Sequence, residues 1–128
     1  MTANLIRVSL TIDSQITHAY AELTGDFNPI HLDPEFAAQT PMRQCIAHGT
    51  MSLGLLWQAL FRTFGTAALE QVELDVRFVR PVLVGERIHA GGEPRAGEAG
   101  CYNVWVKGED ETVRIAGTVT FQHSEEHS

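Results

Sequence analysis

The sequence predicts an α+β fold in which an antiparallel β-sheet curves around one central α-helix. The stretch from Gly49 to about Phe64 is apolar on nearly every side, so a helix there must be buried on most sides. The second half of the chain holds four or five short segments of alternating polarity joined by turn-length connections, which is typical of an antiparallel sheet. With 128 residues the chain is long enough for its own core, and we expect a single domain over residues 1–128.

The first elements are predicted to be a short strand and two helices. Residues 5–12 alternate in polarity, which predicts the strand. Asp13 can then cap the start of a helix whose end is marked by Gly25. Asp33 followed by Pro34 predicts the start of a second, short helix that ends before Thr40. The residues of the first helix expected to face the core are Ile16, Ala19, Tyr20 and Leu23.

The second half of the chain is predicted to form the sheet. The segments of alternating polarity are 72–78, 87–90, 102–107 and 113–121. Turns between them are indicated by Gly85-Glu86, by Gly91-Gly92, by the glycines of 97–100 and by the acidic stretch 108–111. The polar tail 123–128 is expected to be frayed.

Charge and composition exclude several classes of partner and compartment. Nine basic against sixteen acidic residues give a net charge of −7, which argues against nucleic acid or an anionic membrane surface as the main partner. The first residues lack the apolar run of a signal peptide, and the longest apolar stretch, 51–60, is well short of the roughly 20 residues that span a bilayer. Two cysteines are too few for a disulfide framework or a zinc cage. We therefore expect a soluble, cytoplasmic protein with reduced thiols.

A loop between the first two helices carries the first candidate site residues. The segment from Thr24 to His31 favours neither helix nor strand, since Gly25 frees the backbone and Pro29 prevents a continuing helix. We expect a compact, non-helical loop that directs Asp26 and His31 toward one point as an acid/base pair. The alternative is that Asp26 only caps a turn and His31 is a solvated loop side chain.

The entry to the central helix carries the second candidate feature. The sequence Ile46-Ala47-His48-Gly49 leads directly into this helix, whose first N–H groups have no internal partners. Gly49 has no side chain, so its N–H could hold a carbonyl oxygen that gains charge during a reaction. The alternative is that His48 and Gly49 only form a tight helix entry, with His48 as its cap.

These segments carry a resemblance to a known family. The run Tyr-Ala-Glu-Leu-Thr-Gly-Asp-Phe-Asn-Pro-Ile-His at 20–31 closely resembles the signature of the MaoC-like (R)-specific enoyl-CoA hydratases, also called the hydratase 2 family. The similarity continues through Asp33, Pro34, Phe36 and Ala37, the helix entry 46–49 and the segment 78–86, and so covers most of the chain. Its Gly-Asp-x-Asn-Pro-x-His core is a specific motif. The resemblance implies the hot-dog fold, in which an antiparallel sheet wraps a long central helix.

The resemblance also implies an activity and roles for single residues. The implied reaction is the reversible addition of water to C3 of a trans-2-enoyl-CoA, or the dehydration of an (R)-3-hydroxyacyl-CoA when it runs backwards. Asp26 and His31 match the family's catalytic pair, which activates the water and delivers a proton to C2. Gly49 matches the residue whose N–H holds the thioester carbonyl oxygen. Asn28 matches the asparagine of the motif, which orients the loop.

Cofactors and partners follow from the same resemblance. It implies no metal and no redox cofactor, because coenzyme A belongs to the acyl-CoA thioester substrate. It implies a homodimer whose sheets run side by side, with the pantetheine arm near the subunit boundary. The further candidates for contact with substrate or with the catalytic groups are His48 and Ser52, for which packing is the alternative. The arginines available for the phosphates of coenzyme A are Arg43, Arg62, Arg80 and Arg87.

Other interpretations are kept beside this one. The chain could be a different hot-dog thioester enzyme, such as a 3-hydroxyacyl-ACP dehydratase or an acyl-CoA thioesterase, or a non-catalytic acyl-binding subunit. A metal site is not favoured, because no second cluster of ligands supports the residues near the loop. Leu56, Trp57 and Phe61 could shape an acyl tunnel, and core packing is the role expected for most of them. The histidines expected at the surface are His18, His89, His123 and His127.

Overall fold

A computed structural model describes residues 4–122 and shows one five-stranded antiparallel sheet with a long helix packed on its inner face. The strands are β1 (Val8–Thr11), β2 (Val72–Phe78), β3 (Arg87–Pro94), β4 (Cys101–Gly108) and β5 (Val113–Phe121). The helices are α1 (Ser14–Thr24), α2 (Pro29–Leu32), α3 (Pro34–Ala37) and α4 (Gly49–Phe64), with a short 3-10 helix at Ala67–Gln71. The predicted α+β, hot-dog architecture is confirmed. The tail 123–128 and two of its histidines lie outside the described residues.

The sheet has the strand order β1-β3-β4-β5-β2, so β1 and β2 form its edges. Apolar residues at alternate positions of the three central strands face α4. The most deeply buried of them are Ile88, Ala90, Val104, Val106, Ile115 and Val119. Alternation with a period of two therefore produces one dry sheet face, which α4 covers.

The central helix α4 is buried along most of its length, as predicted. Leu56, Ala59 and Leu60 have no exposed surface and form the centre of the core. Core packing is not the role of Phe61, since this side chain is 47% exposed. It lies on the outer side of α4 together with Gln58 and Arg62, which are also exposed. The helix is thus buried on most sides, with an exposed strip that contains Gln58, Phe61 and Arg62.

Helix α1 starts and ends where the sequence predicts. Of the four residues expected to face the core, Ile16 and Tyr20 pack against it and Ala19 and Leu23 are exposed. The Asp13 carboxylate accepts a hydrogen bond from the N–H of Ile16 (2.9 Å), and Gly25 ends the helix in the left-handed conformation (φ 78°). Thr17 and Ala21 are the buried positions, whereas Leu23 is 80% exposed. Thr17 can be buried because its hydroxyl donates to the carbonyl of Ser14 (3.0 Å). The spacing of apolar residues does not predict the burial of a polar residue whose hydroxyl is hydrogen-bonded within its own helix.

Gly91 and Gly92 lie inside β3, so the predicted turn at these residues is wrong. The turn falls instead at 95–100, between β3 and β4. At Gly92 an added Cβ would lie 2.6 Å from the backbone oxygen of Asn103, and at Gly91 it would lie 3.0 Å from Nε1 of Trp105. These glycines therefore allow residues of the paired strand β4 to lie close to the backbone of β3, and they do not change the direction of the chain.

His89 is buried, which corrects the prediction that it lies at the surface. It is 5% exposed on the outer face of β3, where its Nε2 lies 3.5 Å from Oε2 of Glu111. The same carboxylate lies 3.7 Å from Arg7 and 3.8 Å from Lys107. We refer to His89, Glu111, Arg7 and Lys107 as the outer-face cluster. His18 is exposed, as predicted.

No helix within residues 4–122 combines the length and the apolar character needed to cross a membrane.

Candidate active site

The loop after α1 is shaped by a chain of local hydrogen bonds. Oδ1 of Asp26 accepts from the N–H of Asn28 (3.2 Å), and Oδ1 of Asn28 accepts from the N–H of Ile30 (3.1 Å). Asn28 is thereby the N-cap of α2, and Pro29 occupies its first position, where proline is favoured. The predicted non-helical loop is thus wrong in its second half: Pro29 does not prevent a helix but begins a new one.

One turn of α2 brings the His31 imidazole back to the Asp26 carboxylate. Nε2 of His31 lies 3.8 Å from Oδ2 of Asp26, and the two side chains are 11% and 52% exposed. The other ring nitrogen of His31, Nδ1, lies 2.8 Å from the carbonyl oxygen of Ile46. Because a carbonyl only accepts, Nδ1 carries the proton, and in the neutral ring Nε2 offers its lone pair toward Asp26.

His48 connects the loop to the central helix. It is 2% exposed, and its ring stacks on that of His31 with centroids 3.9 Å apart and planes inclined by 26°. Nε2 of His48 donates to the backbone carbonyl of Asp26 (3.1 Å), and the Tyr20 ring packs edge-on against its other side with centroids 4.9 Å apart. One side chain therefore holds the backbone of Asp26, supports the ring of His31 and immediately precedes Gly49.

Gly49 is the first residue of α4, as predicted. The preceding N-cap residue, His48, makes no side-chain hydrogen bond to the N–H groups of the first turn, so the alternative that it caps the helix through its side chain is wrong. An added Cβ at residue 49 would lie 2.9 Å from Cε2 of Phe78, whose ring rests against the glycine. The absence of a side chain at Gly49 thus makes room for Phe78, while the N–H stays on the first turn with the favourable end of the helix dipole.

A cavity of about 300 Å³ opens beside these groups. Its lining combines His31, Gly49 and Ser52 with the mainly apolar segment 78–82 and Ile115. Ser52 is 2% exposed, and its hydroxyl has no hydrogen-bond partner among residues 4–122. The lining is therefore mostly apolar with a small number of polar side chains, as is usual for small-molecule sites.

A second cavity of similar volume, about 300 Å³, is also lined by His31. Arg43 and Cys45 contribute to its wall. Burial raises the pKa of the Cys45 thiol, and the Asp33 carboxylate raises it further, which keeps this cysteine protonated and poorly nucleophilic. Of the four arginines proposed for phosphate contacts, Arg43 borders this cavity and Arg80 borders the first.

Asp26, His31 and His48 form a group whose ligand atoms lie within 4.8 Å of one another, which is the spacing of a metal site. The orientation of the rings does not suit one. The two imidazoles are stacked nearly parallel, so their lone pairs, which lie in the ring planes, do not converge on one ion. Nε2 of His48 is in addition engaged with a backbone carbonyl.

Some features of this site are absent from the predictions. The carbonyl of Ile46 fixes the proton of His31, and the ring of Phe78 covers Gly49. Arg114 is 4% exposed, borders the first cavity and pairs with Glu86 at 3.0 Å. Since these contacts join residues far apart in sequence, local spacing gives no signal for them. For Arg114 the sequence offers one signal of burial: a charged residue stands between Val113 and Ile115 in a strand that has a neighbouring strand on each side.

Comparison with known proteins places the chain in a family. The family model described as "MaoC like domain" matches residues 3–121. The (R)-specific enoyl-CoA hydratase of Aeromonas caviae is 33% identical over 90 residues, which cover 70% of this chain and 67% of that protein. The 3-hydroxybutyryl-CoA dehydratase of Methylorubrum extorquens is 37% identical over 75 residues, 59% of this chain and 48% of that protein. The chain thus matches about half the length of this second relative.

A solved structure described as the (R)-hydratase from A. caviae involved in PHA biosynthesis superimposes with a TM-score of 0.77 at 25% identity, covering 94% of this chain and 96% of that one. The family-model match over residues 3–121 includes the Asp26 loop and the start of α4. The chain belongs to the MaoC-like domain family.

Proposed function

We propose that this protein is a hydro-lyase, an (R)-specific enoyl-CoA hydratase that also dehydrates (R)-3-hydroxyacyl-CoA. The observation that carries the proposal is the Asp26–His31 pair, with Nε2 and Oδ2 3.8 Å apart, whose His31 lines a partly apolar cavity together with Gly49, the first residue of α4. Relatives with hydratase and dehydratase names support the reaction class.

The pair is suited to hold a water molecule between its two acceptors. At 3.8 Å, Nε2 and Oδ2 are too far apart for a direct hydrogen bond but close enough for one water to donate to both. In hydration, the pair takes one proton from the water while the water oxygen bonds to C3 of the enoyl thioester. A proton returns from the pair to C2, so the atoms balance and the pair ends unchanged.

Negative charge grows on the thioester carbonyl oxygen when the water oxygen adds to C3. We propose that the N–H of Gly49 donates to this oxygen, with the dipole of the 16-residue helix α4 adding to the stabilisation. Asn28 orients the loop by capping α2, and His48 orients both Asp26 and His31 through the contacts described above. Ser52 is proposed to offer its unpartnered hydroxyl to the bound thioester.

We also propose a homodimer, a cytoplasmic location, and a reaction that requires neither a metal nor a redox cofactor. β2 is an edge strand of seven residues, and an unpaired edge of this length can be completed by a second sheet. Phe78 is the last residue of this strand and Val79 follows it; they are 56% and 50% exposed and border the first cavity. Light scattering after size-exclusion chromatography should give twice the chain mass; a monomer at micromolar concentration would contradict the dimer.

The reaction is tested with crotonyl-CoA, by following the absorbance of the conjugated thioester together with free thiol. Loss of absorbance without thiol release is expected, and chiral analysis of the product should give the (R)-3-hydroxy thioester. Release of thiol would indicate a thioesterase instead. No reaction with crotonyl-CoA or longer enoyl-CoA substrates, combined with saturable acyl-CoA binding, would indicate an acyl-binding subunit. Reaction only with an acyl carrier protein thioester would assign the dehydratase to that carrier.

A further inference from the structure

The carbonyl that fixes the His31 proton lies on a segment outside the main sheet. Ile46 accepts from Nδ1 of His31 (2.8 Å), and its own N–H donates to the carbonyl of Ile30 (3.1 Å). The segment 45–47 pairs on its other side with 82–84 through an isolated antiparallel bridge between Ile46 and Leu83. Two backbone bonds flank this bridge, from Val84 to Cys45 (2.9 Å) and from Ala47 to Val82 (2.7 Å). The direction of the Ile46 carbonyl therefore depends on where 82–84 lies.

The segment 82–84 is in turn held by one carboxylate. Oε1 of Glu86 accepts from the N–H of Leu83 (2.9 Å), and Oε2 of Glu86 pairs with the guanidinium of Arg114 (3.0 Å). The Arg114 side chain is 5% exposed and that of Glu86 is 30% exposed, so this pair is largely removed from water. A buried guanidinium without a carboxylate is strongly unfavourable, which makes the partner of Arg114 hard to displace.

The backbone of Arg114 contributes to the same arrangement. Its carbonyl accepts from the N–H groups of Val79 (2.7 Å) and Arg80 (3.2 Å), so β5 holds both ends of the connection between β2 and β3. Glu86 thus lies at the junction of three parts of the molecule. It links β5, through Arg114, to the strand-like segment 82–84, and this segment lies against the residue that sets the proton of His31.

We propose that Glu86 is a positioning residue for the reaction: paired with Arg114, it fixes the Leu83–Ile46 bridge and so keeps the His31 proton on Nδ1 and the lone pair of Nε2 toward Asp26. This inference rests on the proposed hydratase function for its effect on rate. Its structural half, the state of the His31 ring, does not depend on any activity. A group that acts in this way changes the rate of the chemical step and leaves substrate binding nearly unchanged.

The test compares Glu86→Ala with Glu86→Gln, which keeps an oxygen for the N–H of Leu83 but loses the charge. For Glu86→Ala we expect kcat for crotonyl-CoA to fall by about 10–100-fold, by analogy with the loss of groups that orient metal-bound histidines, with KM changed by less than about twofold. Glu86→Gln should recover part of the loss. Glu98→Gln is the matched control, since Glu98 pairs with Arg95 at 3.1 Å in an exposed turn far from the site in sequence, and it should leave kcat unchanged.

A second readout uses ¹⁵N-edited NMR of the histidine rings, in which the two neutral tautomers have different signatures. The wild-type His31 ring is expected to carry its proton on Nδ1, and Glu86→Ala should show a mixture of both forms. If kcat falls while the Nδ1–H signature is unchanged, or if kcat is unchanged, the inference is overturned. If the wild-type protein does not hydrate enoyl-CoA at all, the proposed function fails, yet the NMR comparison still decides the structural half.

Glu86→Ala removes the closer carboxylate of the buried Arg114 guanidinium, with Asp110 Oδ1 3.9 Å away, and could prevent folding. The double variant Glu86→Met/Arg114→Met removes both charges and retains apolar volume, a replacement that buried ion pairs often tolerate. Circular dichroism should show that it folds. It should nevertheless lose the Nδ1–H signature and kcat as the single variant does. Retention of both in the folded double variant would overturn the inference.

Discussion

Replacing Asp26 with asparagine separates the chemistry of the site from the stability of the fold. Oδ1 of Asp26 accepts from the N–H of Asn28 at 3.2 Å, and the amide oxygen of asparagine can accept the same bond. The substitution also leaves unchanged the backbone carbonyl of residue 26, which accepts the hydrogen bond from His48. What the substitution removes is the negative charge 3.8 Å from Nε2 of His31 and the ability to take a proton.

The two effects have different sizes. Because the Asp26 side chain is 52% exposed, its pair with His31 is screened by water, and we expect the free energy of unfolding to change by less than about 1 kcal/mol. Loss of one acid/base group lowers the rate by about 10²–10⁴-fold. That range corresponds to about 2.7–5.4 kcal/mol in the activation barrier. The effect on turnover therefore exceeds the effect on folding severalfold.

The assay is kcat/KM for crotonyl-CoA hydration, measured beside urea unfolding of the same preparations. Asp13→Asn is the matched control, because Asp13 is also an exposed carboxylate that accepts a backbone bond, from Ile16 at 2.9 Å, and asparagine is an equally good N-cap. The control should retain wild-type turnover. If Asp26→Asn stays within threefold of the wild type, or if both variants lose activity equally, the assignment of Asp26 as an acid/base group is refuted.

Two further predictions concern the outer face and the glycines. Burial lowers the pKa of His89, with smaller effects from the charges of the outer-face cluster, so the folded protein binds this proton more weakly than the unfolded chain. The contribution of His89 to stability is then complete above about pH 6.5 and decreases as the pH falls below that value. In urea titrations between about pH 7 and 5, His89→Gln should therefore lose less unfolding free energy than the wild type does. Gly117→Ala places a Cβ against the backbone oxygen of Asp75, which only backbone movement relieves, and should destabilise by at least about 1–3 kcal/mol. Gly54→Ala meets nothing within 4 Å inside α4 and should stabilise by about 0.5–1 kcal/mol; thermal melts in which the two variants shift alike would contradict this.

The parts of the fold that could be predicted from the sequence are those whose signals are local. Asp13 and Gly25 bound α1 because a carboxylate can bond the N–H groups of a first turn and glycine can adopt a positive φ. The apolar run of α4 and the period of two in β2, β4 and β5 are likewise properties of single segments. In each of these elements, the residues of the segment itself favour the helix or strand that the structure shows.

The errors fall where a second segment decides the outcome. Glycine usually indicates a turn, but Gly91 and Gly92 lie inside β3. Glycine is needed there because Trp105 and Asn103 on the paired strand occupy the space that a Cβ would need. His89 follows the alternation that predicts a wet position, yet the cluster around Glu111 covers it. Neither neighbour can be identified without the register of the sheet, which the sequence does not specify residue by residue.

The candidate site shows the same division within one short motif. The spacing of the motif residues has a local physical basis. Gly25 ends α1, and the Asp26 carboxylate accepts a hydrogen bond from the N–H of Asn28. Asn28 caps α2, Pro29 begins it, and His31 lies within its single turn. These local steps bring the carboxylate and the imidazole into the same short loop, where Ile46 and His48 then hold them.

The relation of this pair to the helix dipole is set by tertiary contacts instead. His48 bonds the Asp26 carbonyl and stacks on His31 while its own backbone starts α4, so the distance from the pair to the N–H of Gly49 is fixed by a residue that belongs to both. It follows that a chain could retain the whole loop motif and still lack a working site if position 48 lost its ring. His48→Ala should therefore lower kcat although Asp26, His31 and Gly49 are all present. Wild-type kcat in that variant would show that the loop motif alone is sufficient.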